Sequence, residues 1–382
     1  MKVAIIHYWL VSMRGGEAVL EELCRMYPEA DVYTNVLDRS AISEVIREHD
    51  IHTTFIQKLP IAVKLYKAYL PLMPLALEQL DLTDYDLVIS SESGPAKNVI
   101  TAPHAVHVCY CHTPMRYIWD MRSNYSSHLG TAIRMAAAPV AHYVRICDAL
   151  SAARVDRFIA NSTFVAQRIK RYYGQESIVV PPPVNTNIDY LEREQEDFYL
   201  ALGQLVRYKR FDLAIEAFNR MNKRLVVIGA GEEMTRLQKI AGPTISLLGW
   251  QPKEAISDLL ARSRGLIFPG MEDFGIVPVE AMAAGKPVIA YGKGGVCDTI
   301  IDGVTGVLFH EQTSDSLVAA VKWFERNSHA FSRKTIMEQS SHFARANFRE
   351  RMKAVIEETM DRTAQIRLSS RPHYLPAVAK QI

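Results

Sequence analysis

Short apolar runs recur along the chain, each closed by a loop carrying glycine, proline or a polar side chain. In the first half they fall at 3–6, 87–90, 106–110, 157–160 and 177–180. Between them, apolar residues repeat at helical spacing over 18–26, 132–154 and 164–173. Short buried runs alternating with helices predict parallel strands in a sheet wrapped by helices. Pro181-Pro182-Pro183 then interrupts. Three residues without N–H donors extend neither a helix nor a central strand, so they predict a stiff linker. A second series follows, with strands expected at 198–202, 225–228, 245–248, 266–268, 288–290 and 307–309.

The pattern divides the chain into an α/β domain at 1–183, a second at 184–347, and a segment at 348–382. That last segment holds a charged helix near 348–363 and a loose tail from Arg367. Two similar domains on a proline linker leave a cleft, and clefts between domains bind ligands.

The stretch 271–285 carries the most chemistry. The run 265–269 before it and the run 286–290 after it read as neighbouring strands. Pro278 suits the first turn of a helix and Gly285 its left-handed end. Glu272 then hangs in the loop at a strand's carboxyl end, where open α/β sheets bind ligands, and Glu280 falls in the first helical turn. Carboxylates accept from ribose or sugar hydroxyls, and a helix N-terminus holds phosphate. On spacing alone, Glu280 is equally a dipole-complementing charge and Glu272 a solvated loop charge.

Composition narrows the class without choosing a function. The 382 residues are 48% hydrophobic and 23% charged, as in a globular protein, and a net charge of +2 argues against nucleic acid as the main partner. Five scattered cysteines without a CxxC pair support neither a zinc site nor a disulfide framework. No signal peptide is evident, and no apolar run reaches the roughly 18 residues that span a bilayer. The expectation is a cytoplasmic protein.

Other loops gain meaning from their position. Arg14-Gly15-Gly16-Glu17 follows the first strand and opens a helix, yet lacks the full dinucleotide fingerprint. Gly203-Gln204-Leu205-Val206-Arg207-Tyr208-Lys209-Arg210 puts cations at a strand end, which suits a diphosphate; a solvated basic loop is the alternative. His112 ends another strand. Asp84-Tyr85-Asp86 has a metal-nucleotide form but lies at the wrong end of its strand and reads as a turn. Gly229-Ala230-Gly231 suits a tight strand-to-helix turn or a ligand contact. Segment 51–77 combines Lys58, Lys64 and Lys67 with large apolar residues, fitting either an anionic membrane surface or a buried helix with snorkelling lysines.

Together, Arg14-Gly15-Gly16-Glu17, His112-Thr113-Pro114-Met115-Arg116, the loop from Gly203 to Lys209, and Glu272 through Glu280 with Ala281-Met282-Ala283-Ala284-Gly285 resemble the retaining glycosyltransferases of family 4. The string through Tyr117 is similar to that of mannosyltransferases building bacterial O-antigen and exopolysaccharide. The resemblance implies the GT-B fold, two Rossmann-like parallel-sheet domains facing a cleft, with the C-terminal helix and tail returning to the first domain. It implies Glu280 on the donor ribose, Glu272 on the transferred sugar beside the N–H groups of Phe274, Gly275 and Ile276, and Lys209 on the diphosphate. Gly16 would allow close approach, His112 would flank the sugar, and Gln251 would border the base. Where the family commonly has arginine, this chain has Gln204, so Arg207 or Arg210 is expected to substitute.

The implied reaction is metal-independent α-hexosyl transfer with no cofactor beyond its nucleotide-sugar co-substrate, GDP-mannose. The acceptor would be a polyprenyl-diphosphate-linked glycan, with peripheral contact to the inner membrane face through 51–77. Alternatives are a UDP-sugar transferase, a GT-B sugar-nucleotide epimerase, or a non-catalytic nucleotide-sugar-binding partner.

Overall fold

The computed structural model describes residues 1–120, 131–186 and 193–369. The first sheet comprises β1 (Val3–His7), β2 (Asp31–Thr34), β3 (Ile51–Thr53), β4 (Leu87–Glu92), β5 (Val106–Cys111), β6 (Arg157–Ala160) and β7 (Ser177–Val179). All pairings are parallel, in the order β3-β2-β1-β4-β5-β6-β7. The second comprises β8 (Tyr199–Leu202), β9 (Leu225–Ile228), β10 (Ile245–Gly249), β11 (Leu266–Phe268), β12 (Val288–Tyr291) and β13 (Gly306–Phe309), ordered β10-β9-β8-β11-β12-β13. Both orders reverse direction once, between β1 and β4 and between β8 and β11. Loops leaving the carboxyl ends of those four strands diverge and leave a crevice.

Two strands escaped the hydrophobic pattern. β2 begins with Asp31 and has only alternate residues buried, and β3 is an edge strand with two of its three residues exposed. Neither is the continuous apolar run that marks a central parallel strand. Residue 51 therefore belongs to the sheet, not to a basic surface segment. The remainder of 51–77 divides its side chains: Ile56, Ala62, Met73 and Ala76 are buried with Val36, whereas Ile61, Leu65, Leu72 and Leu75 are exposed, as are Lys58, Lys64 and Lys67.

Alternation along the strands builds a core on each sheet face. Val3 and Ile5 of β1 face Val19, Leu20 and Leu23 of α1 (Gly15–Met26), while Ala4 and Ile6 face Leu77 and Tyr85. On the other lobe, Ala201 and Ile267 share one cluster with Leu213 and Phe218, and Leu200 and Leu266 share another with Val279 and Met282. Two further helices of the first lobe are α2 (Thr131–Ala152) and α3 (Thr163–Tyr173).

Two corrections concern helix ends. α4 (Ile276–Ala283) starts two residues before Pro278, because Gly275 takes φ +90° and turns the chain into the helix early. Glu280 therefore sits in the second turn, and Gly285 closes the element at φ +71°. The final helix, α5 (Arg345–Ser369), outruns the expected end, so Arg367 is helical and its guanidinium donates to the carbonyls of His104 (2.5 Å) and Ala105 (3.0 Å). The rest of the expected tail, 370–382, lies outside the described residues.

The chain passes between lobes twice, and the crossings touch. Val184, just beyond the three prolines, donates its N–H to the Phe343 carbonyl at 3.0 Å and bridges Ala344. α5 then buries Phe348, Met352, Val355 and Ile356 in the first lobe's core.

Candidate active site

The crevice holds a cavity of about 470 Å³ lined from both lobes. Tyr8 and Gly16 come from the loop after β1 and the start of α1, Ser93 follows β4, and His112 follows β5. Opposite them stand Tyr208 and Lys209 after β8, Glu272 through Gly275 after β11, and Ile276 and Val277 at the start of α4. The N–H groups at a helix start lack a preceding carbonyl partner, and the peptide dipoles make that end positive. An anion in the cavity would meet this end and the Lys209 ammonium.

The two walls differ in charge. Lys209 Nζ lies 2.9 Å from Glu272 Oε1, both groups being largely buried. Asp273 turns the other way and pairs with Arg116 and Arg168 of the first lobe, the latter at 3.5 Å. The Arg116 guanidinium also lies 5.6 Å from the Tyr208 ring centroid. Ser162 Oγ donates to the Asp273 carbonyl at 2.5 Å, and Asp298 accepts from the Thr163 N–H at 2.6 Å, complementing the start of α3. These contacts hold the Glu272 loop against the first lobe.

His112 stands on the first lobe's wall, where the cation Arg116 is turned to Asp273. Its N–H donates to the Glu92 carbonyl at 2.7 Å, and its own carbonyl accepts from Asn161 Nδ2 at 2.9 Å. Burial, with His7 nearby, pushes its imidazole down to about 3, so the ring stays neutral at physiological pH. Tyr8 lies beside it, its phenol raised above the ordinary range by burial and then by Glu17. A Cβ at Gly16 would come within 2.5 Å of the Tyr8 hydroxyl, so this glycine preserves the space where helix and rings meet.

Of the residues expected at the site, His112, Gly16, Lys209, Glu272, Phe274, Gly275 and Ile276 line the cavity. Gln204, Arg207, Arg210, Gln251 and Glu280 lie outside this lining. Gln204 and Arg207 are exposed, and Arg210 turns to Asp212 (3.1 Å) and Gln312 (3.4 Å). Neither arginine thus takes the place expected for it in this cavity. Gln251 donates to the Leu248 carbonyl at 2.9 Å. Burial raises the Glu280 carboxyl, with Lys253 acting against it. Gly229 and Gly231 allow close backbone packing: a Cβ on either would strike the carbonyl of Gly203 or Leu205. Asp86 accepts from the Lys2 N–H at 2.7 Å, and among the described residues no three His, Cys, Asp or Glu side chains converge as a metal site.

Sequence reasoning missed Asp273, Arg116 as its partner, Arg168 and Tyr8. Asp273 adjoins Glu272 and could have been flagged as a second loop carboxylate. Its arginine partners lie more than a hundred residues away and left no local signal.

Two family models match side by side: glycosyltransferase family 4 over residues 13–188 and glycosyl transferases group 1 over 186–342. An uncharacterized glycosyltransferase of Methanocaldococcus jannaschii is 28% identical over 50% of this chain and 55% of its own length. The alpha-1,3/1,6-mannosyltransferase alg2 of Schizosaccharomyces pombe is 24% identical over 81% of this chain and 70% of its own. The chain thus spans about half the length of the first relative and more of the second. Anabaena HepE, solved with UDP-glucose, superposes with a TM-score of 0.66 at 16% identity, covering 94% of this chain and 100% of that one. Adjoining matches across both lobes, on two parallel sheets facing one crevice, lead to one assignment: the chain belongs to the family 4 glycosyltransferases and has the GT-B fold.

Proposed function

We propose that the chain is a retaining α-mannosyltransferase that uses GDP-mannose and acts on a polyprenyl-diphosphate-linked glycan. The observation that carries the reading is the Lys209–Glu272 pair facing neutral His112 across the cavity. A nucleoside-diphosphate sugar is anionic at the diphosphate and neutral at the hexose. In this reading Lys209 and the first N–H groups of α4 meet the diphosphate and stabilise it as it leaves, while Glu272 and His112 meet sugar hydroxyls. Preorganised donors aimed at developing charge supply the main electrostatic contribution. Glu280 and Gln251 remain proposed contacts for ribose and base outside the lined cavity. The mannosyl choice draws on the His112–Tyr117 string and the alg2 relatives.

The acceptor side draws on 51–77, where exposed Ile61, Leu65, Leu72 and Leu75 adjoin three exposed lysines. Such a surface suits peripheral contact with an anionic cytoplasmic leaflet. The described residues contain no helix long and apolar enough to cross a membrane.

Thermal shift against GDP-mannose, UDP-glucose and free nucleotides tests the donor. Saturation at a hundred times Kd stabilises by about 2.7 kcal/mol. A shift with UDP-glucose and none with GDP-mannose would replace the donor assignment. Transfer to a lipid-linked glycan tests the reaction, and its persistence after chelation tests independence from a divalent ion. Loss on chelation and restoration by magnesium would reject that independence.

A further inference from the structure

Behind His112 lies a row of buried polar groups. Ser91 Oγ lies 2.9 Å from His112 Nε2 and 3.2 Å from His7 Nδ1. The other nitrogen of His7, Nε2, lies 3.9 Å from Glu17 Oε1, and Glu17 Oε2 accepts from the Arg14 N–H at 2.9 Å. Ser91 and His7 are fully buried and Glu17 nearly so. The row joins three separate elements, α1, β1 and the end of β4, to the residue that follows β5.

Hydrogen counting gives the row a direction. A hydroxyl has one proton, so Ser91 donates to only one histidine at a time. A neutral imidazole has one N–H and one lone pair. His7 Nε2 makes no hydrogen bond among the described residues, but the negative charge of the Glu17 carboxylate 3.9 Å away favours an N–H over a lone pair there, which leaves His7 Nδ1 as an acceptor. Ser91 therefore donates to His7, and its oxygen accepts from His112 Nε2. The remaining ring nitrogen of His112, Nδ1, carries only a lone pair.

Building on the nucleotide-sugar reading above, we propose that Glu17, His7 and Ser91 are positioning residues fixing His112 in its Nε2–H tautomer, so that the Nδ1 lone pair accepts a hydrogen bond from a hydroxyl of the bound sugar. The chain thereby distinguishes a hydroxyl from a group that only accepts hydrogen bonds. Discrimination of this kind is strong because a buried polar group left without its partner loses its hydrogen bond. Glu17 has a double role, capping α1 through one oxygen and orienting the row through the other.

The tautomer is measured first, by long-range proton–nitrogen correlation NMR of the ligand-free full chain labelled at histidine, at a pH above the ordinary imidazole range. The expected result is His112 protonated at Nε2 with a lone-pair signal at Nδ1; a proton on Nδ1 overturns the proposal. In Ser91→Ala the preference relaxes towards a mixture of tautomers, and Ser91→Thr restores it. An unchanged tautomer in folded Ser91→Ala rejects the positioning role, and the wild-type spectrum stands as the test if that variant fails to fold.

The second measurement uses GDP-mannose analogues with each sugar hydroxyl replaced in turn by fluorine or hydrogen. At one position both replacements should weaken binding about tenfold, because neither fluorine nor a C–H donates a hydrogen bond of that strength. Fluorine binding as well as hydroxyl at every position rejects the acceptor role. Failure of all these sugars to bind, with the Nε2–H tautomer intact, refutes the donor assignment and leaves the tautomer result standing.

Discussion

The two walls of the crevice solve opposite physical problems. The second lobe presents ions: Lys209 against Glu272, with a helix start beside them. The first lobe presents His112, pushed down to about 3 by burial, and Tyr8, raised by burial, while the cation in its lining, Arg116, is paired with Asp273. Charge survives because each ion, Arg116 included, has a partner; neutrality at His112 and Tyr8 survives because burial disfavours the charged form. A ligand with an anionic end and a hydroxyl-rich end is sorted by this contrast before any specific contact is counted.

Removing the charged wall should have the largest effect. Lys209→Ala should slow sugar transfer roughly 10²–10³-fold, the cost of deleting one preorganised donor to a developing charge. Steady-state kinetics with the donor decide it, and a less than threefold change would remove Lys209 from the leaving-group role. Next comes the tie between the walls. Asp273→Asn removes the carboxylate shared by Arg116 and Arg168, both largely buried, and although Arg168 keeps Asp120 at 2.9 Å, it should destabilise by on the order of 3 kcal/mol in urea unfolding. Unchanged stability would mean that the lobes are held by other contacts.

The neutral wall is tested by pH. His112 has a folded value of about 3, below the ordinary imidazole value of 6.5, so below pH 6.5 the unfolded chain takes up a proton the folded chain refuses. Its contribution is complete above that value and declines as the pH falls towards 3. His107, pushed by burial to about 4, acts in the same direction, whereas Glu92, raised to about 7 by burial, acts against both. His112→Gln should therefore flatten the fall in stability between pH 6 and 4 by up to about 1.4 kcal/mol per pH unit. Equal slopes for variant and wild type would show that the ring titrates normally.

The smallest expected effect separates two adjacent glycines. Gly16→Ala places a methyl 2.5 Å from the Tyr8 hydroxyl, in a packed corner, and should cost about 1 kcal/mol with weaker donor binding. Gly15→Ala meets only the terminal carbon of Ile276 at 2.7 Å, which can rotate away, so it should be nearly silent in the same titration. Equal effects would place the constraint in the helix start rather than beside the rings.

The central strands were legible because full burial makes them continuous apolar runs, and the cleft was legible from two such series about a proline linker. Glu272 and Lys209 were legible because both follow strands. β2 and the edge strand β3 were not, since β2 buries only alternate residues and β3 leaves two of its three exposed. Pro278 does fall in the first turn of α4, but Glu280 was placed a turn too early because the turn at Gly275 that starts the helix is visible only in its dihedral angles. The Asp273 pairs and the Glu17–His7–Ser91 row were illegible because each joins distant segments through contacts that only the folded chain creates.

The return of α5 to the first lobe bears on the order in which the protein is made. Phe348, Met352, Val355 and Ile356 belong to the same core as Val3, Ile5 and Leu20. Each is worth about 1.5–3 kcal/mol when fully buried. A chain emerging from the ribosome therefore carries an unfinished first lobe until after the entire second sheet has been synthesised. The second lobe can close its own core earlier, so the half made first is the half completed last. During that interval the exposed α1 face is open to chaperones, and a premature stop just before Phe348 would damage the lobe farther from the break in sequence.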